Sequence, residues 1–160
     1  MWRWLTVFLF GGVLGAAFGV ALGFFLFPYV FPPPAAMDRL TQAEASKLVA
    51  KGQFIHANPS DPIHYGKGGV SVYEGVVFLH EDFEVGPGPK FHVYLVPEKN
   101  IIPSTNVAKT MFVDLGRLRA FKGSQNYPVP AGVDLAKYSS VVVWCEQFRV
   151  LISPAALKFQ

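Results

Sequence analysis

From Trp4 to Phe27 every side chain is apolar except that of Thr6, and no charged residue lies between Arg3 and Asp38. Such a run predicts one helix. At about 1.5 Å of rise per residue it reaches about 36 Å, enough to cross a hydrocarbon layer about 30 Å thick. Trp2 and Trp4 at one end and Tyr29 at the other suit the two faces of a bilayer. Arg3 and the terminal amine bias the N-terminus toward the cytoplasm. The apolar core of a cleaved leader is shorter, about 7 to 15 residues, so residues 1–31 are expected to be an uncleaved signal-anchor with the rest of the chain outside the cytoplasm.

The pattern then changes twice. Pro32-Pro33-Pro34 opens a stiff spacer, expected over 32–39. Thr41-Gln42-Ala43-Glu44 has the spacing of a capping box. With Ala45, Leu48 and Val49 on one face and Gly52 as a stop, it predicts a short amphipathic helix. From Gln53 onward, short runs rich in Val, Phe, Tyr and Ile alternate with Gly, Pro, Asn and Asp, which predicts an all-β domain. Strands are expected near 53–57, 70–74, 76–80, 91–96, 110–115, 117–121, 140–145 and 150–152, with a helical turn over 133–138. About eight short strands in a domain spanning 40–160 suggest an antiparallel β-sandwich or a closed barrel around a single core.

Charge narrows the function mainly by exclusion. The chain has 14 Lys and Arg against 11 Asp and Glu, so no nucleic-acid surface is expected. Arg117, Arg119 and Lys122 form a local basic patch that reads as a solvated strand face. There is no G-x-S-x-G, H-E-x-x-H, phosphate-cradling glycine loop or C-x-x-C, which argues against hydrolases and nucleotide enzymes. The chain leans away from catalysis.

Three features carry candidate chemistry. Gly11, Gly15, Gly19 and Gly23 recur every fourth residue along one stripe of the anchor. Such a stripe lets a second helix backbone approach, from another copy or from a different membrane protein. Cys145 is the sole cysteine and closes the Val-rich run Ser140–Cys145. It is either inert packing or, in an oxidising compartment, a leftover thiol with a redox, ligand or intermolecular role. His56, His64, His80 and His92 could with Cys145 supply a haem or metal site, but their spacing matches no metal motif and no metal ligand is assigned. His64 lies in a loop, where functional residues are more common.

Several ordered blocks resemble the DM13 domain family. Gly52-Gln53-Phe54, His64 and the glycines at 66, 68 and 69 form the first. Asp82-Phe83, Gly88-Pro89 and Val93-Tyr94-Leu95 form the second, where Lys90 stands in place of an acidic residue. Asp114-Leu115-Gly116-Arg117-Leu118, Gly123-Ser124-Gln125-Asn126-Tyr127 and Pro130 make the third. The run Tyr138 to Val150, containing Trp144-Cys145, continues to Ala155 and Leu157 as the most specific block. The resemblance implies a small extracytoplasmic β domain with an electron-transfer role, Cys145 as the redox group and His64 as a weaker second candidate. A thiol in that role needs exposure and a lowered pKa, and Glu146 beside it would oppose thiolate formation.

The sequence is therefore read as a membrane-anchored accessory redox module whose redox partner and cofactor are not specified. Two alternatives stand beside it: a non-catalytic module binding a ligand or protein, and a structural subunit held to a membrane complex through the anchor.

Overall fold

A computed structural model describes residues 2–160, which fall into two compact units meeting at Pro33 and Pro34. The first unit is α1 (Trp2–Val30), whose apolar side chains face outward along its whole length. It is long and apolar enough to cross a membrane. Near its start the Thr6 hydroxyl donates to the Arg3 carbonyl at 2.9 Å, so the one polar side chain of the run is satisfied within the helix.

The second unit is mostly β, with ten strands where about eight were expected. They are β1 (Ala36–Met37), β2 (Leu48–Phe54), β3 (Gly66–Tyr73), β4 (Val76–Leu79), β5 (Glu84–Val85), β6 (Phe91–Val96), β7 (Val113–Arg117), β8 (Gly123–Pro128), β9 (Ser140–Cys145) and β10 (Val150–Phe159). Nine of them follow one curled path in the order β1-β8-β4-β3-β2-β10-β9-β6-β7, a half-barrel, and β5 pairs with β3. The sheet is mixed rather than antiparallel throughout, because β1 runs parallel to β8.

Four departures from the expected elements have physical causes. The capping box forms, with the Thr41 amide donating to Glu44 Oε2 at 2.8 Å, but the helix α2 is only one turn (Gln42–Ala45). The next residues, Leu48–Phe54, join the sheet as β2, burying Ala50 and Phe54. Gly52 is thus no helix stop: a Cβ there would lie 2.8 Å from the Ala156 carbonyl of the neighbouring strand. The expected strand over 117–121 is instead a link between β7 and the polar strand β8. In that link Arg119 pairs with Asp38, and Lys122 Nζ pairs with Glu84 at 3.0 Å, so these residues are not a free basic face. Finally, residues 36–38 of the expected spacer belong to the domain, since the Asp38 carboxylate also accepts from the Asn126 amide at 2.8 Å. The Arg119 hydrogen bond holds Asp38 below the usual carboxylate range.

β9 divides the interior. Val141, Val143 and Cys145 join the main core with Phe54, Phe83, Phe91 and Ile152, while Val142 and Trp144 join a smaller cluster with Tyr94, Val96 and Val107. The alternation is the period of two expected of a strand covered on both faces. The helical turn expected over 133–138 is present as a short 3-10 turn at Leu135–Lys137.

Candidate functional site

Cys145 ends β9, opposite Phe91 on β6 and Val150 on β10. It is 1% exposed and unpaired. Its thiol donates to the Pro89 carbonyl at 3.3 Å, and the Glu146 amide donates to the Lys90 carbonyl at 3.1 Å. The turn Gly86-Pro87-Gly88-Pro89-Lys90 therefore meets the end of β9 through the Pro89 and Lys90 carbonyls, the first of them against the sulfur. Gly88 has no room for a Cβ against the Phe91 ring, and Lys90 holds a φ of 47°. The exposure that thiol chemistry needs is absent in this arrangement.

His64 lies elsewhere in the hydrogen-bond network. Its Nδ1 meets Asp61 Oδ2 at 2.6 Å, and its backbone amide donates to Asp61 Oδ1 at 3.1 Å. The His64 ring, helped by the His64 and Ile63 amides, holds the Asp61 carboxyl down at about 2. No hydrogen bond joins His64 to Cys145 among the described residues.

The glycines of the first family-like block serve close packing. A Cβ on Gly66 would strike Ser153, and one on Gly69 would strike the His80 ring. The Gly69 amide donates to Asp82 Oδ1 at 2.9 Å, and His80 Nε2 shares a hydrogen bond with Ser71 Oγ at 2.8 Å. Burial pushes His80 below its ordinary value. His56 contacts the Asp61 carbonyl at 2.7 Å. His56 and His64 thus share Asp61, while His80 bonds Ser71 and His92 bonds Asp114.

One cluster was not expected from the sequence. The sheet register places Tyr94 opposite Asp114 and His92 opposite Trp144, one residue before Cys145 and two before Glu146. His92 Nδ1 lies 3.0 Å from Asp114 Oδ2, and its Nε2 lies 3.4 Å from Glu146 Oε2. The Tyr94 hydroxyl donates to Glu146 Oε1 at 2.8 Å, and burial together with that bond raises its pKa. Phe112 stacks on the Tyr94 ring at 4.2 Å. One donor atom from each of His92, Asp114 and Glu146 lies within 4.8 Å of the other two, a set able to hold a cation. Their separation in sequence hid the grouping: His92 was named among the histidines, Asp114 and Glu146 lay in family-like blocks, and nothing in their spacing joined them.

Residues 59–157 match the family model described as Electron transfer DM13. The matched span takes in His64, His92, Asp114, Cys145 and Glu146, and leaves Gly52-Gln53-Phe54 outside. No curated protein and no solved structure matches the chain.

Proposed function

The chain belongs to the electron transfer DM13 family, and we propose on that premise that it is an accessory redox module anchored in the membrane by α1 and exposed outside the cytoplasm. The family match across the sheet carries this reading. Its redox group is Cys145, with His64 the weaker candidate. On this reading Cys145, buried and bonded to the Pro89 carbonyl, is a gated thiol, reached when the Gly86–Lys90 turn lifts. Once uncovered, it suits exchange with a partner disulfide: its sulfur bonds one partner sulfur, and the other leaves as a thiol carrying the Cys145 proton.

The full chain in detergent, equilibrated across a series of glutathione redox ratios, tests this. Cys145 is expected to pass from thiol to mixed disulfide within the series, and Cys145→Ala to remain unmodified. A thiol that stays reduced at every ratio removes Cys145 from the redox role.

A second reading is favoured by the burial of Cys145, together with the exposure of large apolar side chains in the domain such as Phe148, Met111 and Ile102. On that reading the domain is a non-catalytic module binding a ligand or protein, or a structural subunit of a membrane complex. Both readings share the anchor. Gly11, Gly15, Gly19 and Gly23 leave open space along α1 where another helix can pack, from a second copy or a different membrane protein. The double variant Gly15→Ile with Gly19→Ile is expected to lose most crosslinked or co-purified partner from membranes while the β domain stays folded. Undiminished association would mean that this stripe makes no contact.

A further inference from the structure

The cluster at the β6–β7 edge has more order than a chance meeting of charges. His92, Asp114 and Glu146 come from three backbone segments fixed by one sheet register. Each carboxylate has one oxygen occupied by a donor outside the trio. The Gly116 amide donates to Asp114 Oδ1 at 2.8 Å, and the Tyr94 hydroxyl donates to Glu146 Oε1 at 2.8 Å. Asp114 turns both oxygens to His92 Nδ1, Oδ2 at 3.0 Å and Oδ1 at 3.1 Å, and Glu146 turns its second oxygen, Oε2, to His92 Nε2 at 3.4 Å. Outer donors that fix the orientation of inner ligands are the usual support of a metal site.

Bonds of about 2.0 to 2.2 Å from nitrogen and oxygen to zinc put neighbouring ligands about 3 to 3.5 Å apart in a tetrahedron; here Asp114 faces Nδ1 and Glu146 faces Nε2, with one donor atom from each of the three residues within 4.8 Å of the other two. The imidazole is 18% exposed and the two carboxylates 39% and 42%, so the protein side is firm and the outer side is open to water. The exposed carboxylates can turn to bring both free oxygens to one ring nitrogen. Two carboxylates facing one imidazole also leave an excess of negative charge that a divalent cation offsets. Arg117, opposite His92 in the register, is the nearby side chain that could compete for those oxygens.

We propose that His92, Asp114 and Glu146 bind a divalent transition ion, with Tyr94 and the Gly116 amide as positioning groups and water completing the coordination. One imidazole and two carboxylates favour zinc, manganese or iron over magnesium or calcium, which take oxygen donors throughout. The site is independent of the thiol reading, because it uses no atom of Cys145.

Zinc, which is redox-inert, is the probe: calorimetric titration of the metal-stripped full chain in non-ionic detergent. One ion per chain is expected. His92→Ala and Asp114→Asn should each weaken binding by more than about tenfold, and Tyr94→Phe, which keeps the stack on Phe112, by roughly tenfold. His64→Ala should leave it unchanged. Absence of zinc binding in the parent chain overturns the proposal, as does binding that survives His92→Ala in a variant with an intact cooperative melt. If His92→Ala fails to fold, Asp114→Asn and Tyr94→Phe decide the matter: unaltered affinity in both overturns it. Loss of glutathione chemistry at Cys145 with zinc binding intact would strike the redox reading alone.

Discussion

In the folded full-length chain, Cys145 should react with a small water-soluble thiol reagent at least about a hundredfold more slowly than in denaturant, since a buried group is labelled only through opening. The sulfur is buried and hydrogen-bonded to the Pro89 carbonyl, within the Gly86–Lys90 turn. Which opening exposes it separates the two functional readings. A gated thiol is uncovered by local movement of the turn, so its residual labelling should be insensitive to low urea. A merely structural thiol is uncovered by global unfolding, and its labelling should follow the unfolding equilibrium. We expect the local behaviour. Gly88→Ala, whose added Cβ would press on the Phe91 ring that the turn packs against, should accelerate labelling more than it lowers global stability. Fast labelling of the parent chain would contradict the burial, and protection equal to the full unfolding free energy would turn Cys145 into packing and favour the binding module.

Burial explains both what the sequence revealed and what it concealed. Ser140–Cys145 was legible because a strand covered on both faces is a continuous apolar run, and α1 was legible for its length. β8 was not, because its buried residues are mostly Gly123, Ser124 and Gln125, with Tyr127 the one apolar ring among them, and Gln125 is fully enclosed yet satisfied: its Oε1 accepts from the Arg119 and Ala120 amides and from the Tyr127 hydroxyl, and its Nε2 donates to the Ala120 carbonyl. A polar side chain with every bond made inside the protein leaves no apolar signature. Leu48–Phe54 misled for a different reason. A real capping box preceded it, and tertiary pairing of this segment with β3 on one side and β10 on the other overrode the local helical pattern. The site split along the same line. Cys145 stood out by being alone, while His92, Asp114 and Glu146 meet through pairings between distant strands, for which linear spacing has no signal.

The glycines of the first family-like block bear on function through what they exclude, and Gly68→Ala measures this. Gly68 holds a φ of +105°, a conformation that costs a residue with a side chain about 1 to 3 kcal/mol. A Cβ there would also strike backbone, the Phe83 Cα and amide and the Asp82 carbonyl, which cannot rotate away as a side chain could. Phe83 is buried and packs edge-on against Phe54 with ring centroids 5.2 Å apart, so displacing it opens the main core. The variant should lose at least about 3 kcal/mol, a large share of the roughly 5 to 15 kcal/mol that holds a domain folded. Its thermal midpoint should fall by roughly 10 °C. Gly116→Ala supplies the contrast, because Gly116 has a φ of +116° but nothing within 4 Å of the added Cβ. It should show strain alone and a smaller loss. If the two variants melt alike, close approach of Phe83 is not what Gly68 serves, and a ligand-facing role for the Gly66–Gly69 segment becomes the better explanation.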